Sequence, residues 1–276
     1  MIKDILVSLR VGKLESPAEK YAISMAVALE AHIAGVTFAY DPIELMSQLS
    51  YMGGNLVEKD LPDYRGEANA TLDRFSEAAG RLTNSSGRLM LPADLTSSGG
   101  QFGRIARRFD LSVVAQPEAE GAAVDKMIVE GALFDSGRPV IVVPYIQAAP
   151  FKLDRLMICW DGSRPAARAI ADAMPLLGVA KHAEVVIVVD EPDKEDELHG
   201  IGIGQHLARH GVDVNINRII RGEVDVAGAL LSHSADSDAD LIIMGGYGHS
   251  RFRELVLGGV TRSMLRSMTA PVLMSH

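Results

Sequence analysis

Residues 4–10 read DILVSLR and residues 155–161 read RLMICWD, and the same series of signals follows each. A short apolar strand gives way to a turn and then to a helix start. Ser16-Pro17-Ala18-Glu19 is a capping box with proline at the first helical position, and Ser163-Arg164-Pro165 is a looser counterpart without the acid three positions on. Behind them Tyr21, Ala22, Met25, Ala26 and Leu29 recur at helical spacing, as do Ala166, Ala169, Ile170, Ala173 and Leu177. The matches continue in order. Segments 32–40 and 184–189 are second strands, each running to an aspartate (Asp41, Asp190), and 110–115 and 240–244 are apolar runs opened by aspartate. Segments 138–143 and 270–274, each with proline in second place, close the two halves. The chain is an internal duplication, and any fold assigned to it has to be one fold used twice.

Each half alternates strand and helix, and its strands are near-continuous apolar runs. That pattern belongs to a parallel sheet covered on both faces. The expected architecture is α/β: two tandem doubly wound, Rossmann-like domains, 1–147 and 151–276, each a mainly parallel five-stranded sheet with helices on both faces. Pro139 and Pro271 lie 132 positions apart but the opening strands 151 apart, so the first half carries an insertion. It is assigned to 42–66, rich in Gly, Pro, Asp and Met, and read as a long loop.

Composition removes several function classes. Among 276 residues, 47% are hydrophobic, enough for real cores, yet no apolar run approaches the roughly 18–20 residues of a membrane span. The N-terminus reads as a first strand without a cleavage site, so no export signal is expected. A lone Cys159 leaves no internal disulfide and no multi-cysteine zinc site, which points to a reducing cytoplasm. The net charge of −9, split almost evenly between the halves, disfavours nucleic acid and anionic membranes as partners.

In an open parallel sheet, ligands sit beyond the carboxyl ends of the strands. In the second half the fourth strand, DLIIMG, runs into Gly245-Gly246-Tyr247-Gly248-His249-Ser250. After nine intervening residues Gly248 is followed by Gly258-Gly259-Val260-Thr261 and a helix with Met264, Leu265 and Met268 on its apolar face. Gly245 and Gly248 let the backbone turn sharply and approach a ligand without an intervening side chain. Gly258 and Gly259 open a helix whose unsatisfied N–H groups favour a phosphate. Thr261 supplies a hydroxyl in the first turn, either as a ligand contact or as a local cap. Arg251, Arg253, Arg262 and Arg266 against Glu254 concentrate positive charge there. The same glycines would also serve a plain tight strand exit, and Asp161 ahead of Gly162 would serve a plain turn.

At these residues the chain resembles the universal stress protein family in its tandem form. The resemblance rests on Asp161-Gly162-Ser163, the strand ending Val188-Val189-Asp190, the glycine pattern, and the closing Ala270-Pro271-Val272-Leu273. It spans 151–276 and, more faintly, 1–147. It implies that Asp161 and the backbone of Val188 hold the adenosine end of ATP, with magnesium as a possible companion ion. It implies that Gly245, Gly248, Gly258, Gly259, Val260 and Thr261 hold the phosphates. One departure stands out: ATP-binding members usually carry Ser or Thr where this chain has Gly259, a lost hydroxyl contact of about 1 kcal/mol. The resemblance also implies pairing of the closing strands, here within one chain, with a homodimer through those strands as a further possibility.

The first half departs further. Arg10 stands where Asp161 stands in the second, and Gln116-Pro117-Glu118-Ala119-Glu120 replaces the glycine run. Lys126 and Met127 fall at the places of Gly258 and Gly259. Two carboxylates and no glycine pair make a poor phosphate cradle, so no nucleotide site of this type is expected there.

Other motifs are weaker. Gly200-Ile201-Gly202-Ile203-Gly204 follows an acidic run instead of a strand and lacks the final glycine of a dinucleotide fingerprint. Asp190–Glu197 lacks the spacing of a calcium loop and reads as a solvated loop or helix start. His206 and His210 are one helical turn apart but have no accompanying Glu in a zinc-hydrolase pattern. Gly53-Gly54 and 97–100 read as loop punctuation, and Cys159 as a buried thiol inside a strand. Without a G-x4-G-K-[ST] loop there is little support for fast ATP hydrolysis. The expected protein is a cytoplasmic stress-response protein that binds ATP in its second domain and acts as a regulatory or binding protein. Slow hydrolysis or phosphotransfer at that site, and a scaffold or binder of another small ligand, are the alternatives.

Overall fold

A computed structural model describes residues 1–12, 16–40, 63–93, 97–118, 122–190, 194–246 and 259–276. The first half gives β1 (Asp4–Ser8), α1 (Pro17–Leu29), β2 (His32–Tyr40), α2 (Tyr64–Leu82), β3 (Ser86–Ala93), α3 (Ser98–Ala106), β4 (Leu111–Ala115), α4 (Ala122–Glu130) and β5 (Val140–Val143). α4 runs on into a five-residue π-helical turn, Gly131–Asp135. The second half gives β6 (Arg155–Cys159), α5 (Arg164–Leu177), β7 (His182–Val189), α6 (Lys194–Arg209), β8 (Val214–Ile220), α7 (Val226–Asp236), β9 (Leu241–Gly245), α8 (Gly259–Ser267) and β10 (Val272–Ser275).

The duplicated sequence produces duplicated topology. The ten strands form a single sheet in the order β3-β2-β1-β4-β5-β10-β9-β6-β7-β8. Within each half all neighbours run parallel. At the junction β5 and β10 pair antiparallel, with Val140, Ile141 and Val142 opposite Met274, Leu273 and Val272. The carboxyl ends of the strands therefore point to opposite edges of the sheet in the two halves. β5 and β10 each have neighbours on both sides, so a homodimer through the closing strands has no free edge to use.

Because apolar residues occupy both faces of the central strands, two cores form, one on each side. α1, α2, α5 and α6 cover one face through residues such as Tyr21, Phe75, Ile170 and Leu207. The α3, α4, α7 and α8 helices cover the other through Phe102, Ile128, Leu230 and Met264. Each core contains residues of both halves, so neither closes without its neighbour. The joining segment is seated as well: Phe151 packs edge-on against Tyr21 at 5.6 Å, and its N–H donates to Ser24 Oγ at 2.8 Å.

The aspartates that open the fourth strands have a definite job. Asp110 Oδ2 accepts the N–H groups of Lys3 and Asp4, and Asp240 Oδ2 accepts those of Asp154 and Arg155. Each ties the start of its half's first strand to the start of the fourth. Caps follow the sequence pattern: Ser16 Oγ accepts from Glu19 N–H and Ser163 Oγ from Ala166 N–H, both at 3.2 Å.

Two expectations change. Most of the 42–66 stretch lies outside the described residues, but its last residues are helical, with Asp63 Oδ1 capping α2 through Gly66 N–H at 2.8 Å. Residues 97–100 are likewise no loop; they open α3. A Cβ added at Gly99 would lie 2.3 Å from Met127 O, and one at Gly103 2.5 Å from Gly131 O. Those glycines persist in a helix because it touches α4 and the π-turn backbone to backbone.

Candidate functional site

At the carboxyl end of the second half, period-two alternation decides which residues face the same side. Cys159 and Val188 pack against the core beneath α7 and α8, while Trp160 packs against the opposite core. Asp161, two residues beyond Cys159, begins the β6–α5 turn: its Oδ1 accepts Ser163 N–H at 2.9 Å, and Gly162 adopts φ +72°. The carboxylate thus builds a turn and remains exposed. Val188 is half-buried near the end of β7. Beside it, Asp190 pairs with Arg221 Nη2 at 2.7 Å, beyond the end of β8.

Gly245 ends β9 against the first turn of α5. A Cβ there would lie 2.5 Å from Ala166 N and 2.6 Å from Pro165 C, so packing alone demands glycine. At Gly246 a Cβ would reach 2.8 Å from Leu133, a residue of the first half. Gly248 and Gly258 lie outside the described residues. α8 begins at Gly259, which is exposed, with nothing among the described residues within 4 Å of where a Cβ would sit. Val260 is exposed too. The N–H groups of this first turn have no partner inside the helix. Thr261 is 3% exposed, so its side chain belongs to the interior.

The matching corner of the first half is filled by protein. Arg10 Nη1 pairs with Glu118 Oε1, Nη2 with Asp125 Oδ2 at 2.8 Å, and Nη2 also donates to Gln116 O at 2.7 Å. The guanidinium stands where Asp161 stands in the other half, with both carboxylates drawn around its planar fork of donors. Sequence reading marked Arg10, Gln116 and Glu118 as misfits but missed Asp125. Its spacing three to four residues before Val129 and Ile128's buried face gave no hint that it turns toward Arg10.

Other candidates resolve simply. The Cys159 thiol is pushed far up from its ordinary value, first by burial and then by the carboxylates of Asp161 and Glu184, so it stays protonated and unreactive. His206 on α6 and His210 just past its end have ring centroids 4.8 Å apart with tilted planes, and among the described residues no group of three or more potential ligands is placed to hold a metal. The Gly200–Gly204 run lies within α6, not at a strand end. No helix among the described residues is long and apolar enough to cross a membrane.

With this geometry in view, residues 152–276 match the model of the universal stress protein family. Residues 152–276 are a universal stress protein family domain. A curated universal stress protein from Synechocystis is 44% identical over 45 residues, a match covering 16% of this chain and 16% of the relative's length. Across the whole chain the likeness is one of fold. The crystal structure of a universal stress protein from Archaeoglobus fulgidus superposes with a TM-score of 0.70 at 17% identity, covering 99% of this chain and 97% of that one. A protein of unknown function from Pseudomonas aeruginosa PAO1 does so with a TM-score of 0.65 at 14% identity, covering 99% and 92%. The shared fold therefore extends over both halves, while the match to the family model is carried by the second.

Proposed function

We propose that this protein binds one adenine nucleotide, ATP, at the carboxyl edge of its second half and serves as a regulatory binding protein in the cytoplasm. The observation that carries the reading is the contrast between equivalent corners. In the second half, Asp161 is exposed at the end of β6, Val188 is half-buried near the end of β7, and Gly259 and Val260 are exposed at the start of α8. In the first half, the Arg10 cluster fills the same corner.

The roles follow from the chemistry present. Asp161 has one carboxylate oxygen engaged in its turn and lies exposed, suited to accept hydroxyl or amine protons from a nucleoside. Val188 offers backbone at a strand end. The N–H groups of Gly259, Val260 and Thr261, at the positive end of α8, suit phosphate oxygens. Magnesium bound to the nucleotide would lower the charge those donors must balance. Gly245, Gly248 and Gly258 complete the proposed phosphate contacts along the chain.

The test is nucleotide content and thermal shift. Denaturing the purified protein and chromatographing the supernatant should release up to one adenine nucleotide per chain. Emptied protein should melt higher with magnesium and millimolar ATP, because a ligand that binds only the folded state stabilises it. No released nucleotide together with no shift would replace this reading with a scaffold or another ligand. ADP accumulating from added ATP would make the protein a slow hydrolase.

A further inference from the structure

The first half touches the proposed nucleotide site of the second from two directions, although its own corner is closed. Gln116, 1% exposed, sits just beyond β4, and every polar group it has is engaged. Its N–H donates to Val143 O at 2.8 Å and its carbonyl accepts from Arg10. Its Oε1 accepts from Tyr145 N–H at 3.2 Å. Its Nε2 crosses between the halves to donate to Leu265 O at 2.8 Å and Arg266 O at 3.3 Å. Those two carbonyls belong to the last turn of α8, where no intrahelical N–H can reach them. At the other flank, Gly246 packs against Leu133, its N–H donates to Ser275 O, and its carbonyl bonds His276 Nδ1 at 3.1 Å.

α8 is nine residues, roughly 13 Å, long, with its carboxyl end held by Gln116 and its amino end exposed at Gly259 and Val260. A rigid rod pinned at one end transmits any movement of the pin to the other. We infer that Gln116 is a positioning residue that sets the placement of the α8 amino terminus, so that the first half, locked by Arg10, tunes phosphate affinity in the second. The phosphate part rests on the nucleotide reading above; the positioning of α8 does not.

Two full-chain variants test it: Gln116→Met, which removes donor and acceptor at similar size, and Gln116→Asn, which keeps the amide but withdraws it. With either, amide hydrogen exchange in the unliganded protein should quicken across 263–267, the N–H groups bonded within α8, while β6 and β7 keep wild-type protection. ATP affinity by calorimetry should fall about threefold to tenfold, with adenosine affinity within about twofold. A general loss of structure would instead raise exchange everywhere and weaken both ligands alike, and that result overturns the inference. So does wild-type exchange in α8, or ATP affinity unchanged in a protein that binds ATP. If the wild type binds no nucleotide yet α8 exchange responds, the nucleotide reading falls and Gln116's positioning of the helix stands.

Discussion

At the scale of single residues, Gly259 is where the sequence and the structure together make the sharpest statement. Position 259 carries no hydroxyl, and among the described residues nothing lies within 4 Å of a Cβ placed there. Gly259→Ser should therefore add a phosphate donor without displacing anything, and should also favour the helix start. We expect ATP to bind about fivefold tighter, the equivalent of ~1 kcal/mol, with adenosine unchanged, as measured by calorimetry on both ligands. An adenosine affinity that rises equally would mean the change acts on the fold and not on the phosphates. Residue identities were legible where chemistry is local: Asp161 as turn former, Ser16 and Ser163 as caps, Cys159 as a buried thiol. They were illegible where a partner lies far along the chain. Nothing near Gln116 signals a bond to a carbonyl 149 positions on, and Asp125 became visible as Arg10's partner only once β1, β4 and α4 had been brought together.

Elements behave as the repeat predicts, and they also show why glycine is an ambiguous sign. Gly245 reads equally well as a ligand approach or a strand exit, and the packing explains it without any ligand: β9 ends against the Pro165–Ala166 peptide at the start of α5. Gly245→Val would drive branched carbons into that backbone, so α5 or β9 has to move. The expected cost is about 3 kcal/mol of stability, visible as a lower denaturant midpoint with no nucleotide present. A variant as stable as the wild type would show that the contact yields, and would return Gly245 to a purely ligand-facing role. Gly99 teaches the same lesson in reverse, since punctuation in the sequence is part of the contact surface of α3. The strands, by contrast, were readable because a strand buried on both faces has only one way to look: a continuous apolar run. The continuation of α4 into a π-turn, and the helical start at Asp63, had no comparable signal.

For the whole molecule, the two halves are one unit by construction. β5 and β10 meet through three residue pairs at the centre of a ten-stranded sheet, and both cores draw on both halves. Two consequences separate this arrangement from two independent domains on a tether. Cutting the chain at the joining segment would expose a fully buried apolar strand edge, VLMS on 151–276, that has no charge, bulge or proline within it to discourage pairing. The half-chain 151–276 should therefore self-associate, in the simplest case by placing a second β10 antiparallel where β5 lies, and light scattering should give a mass of at least a dimer. The intact chain should melt in one calorimetric transition, because opening the junction removes core from each side at once. A monomeric, well-folded 151–276 and two resolved transitions in the full chain would show the opposite: an interface that merely rests between self-sufficient domains, with α8 then free of any influence from Gln116.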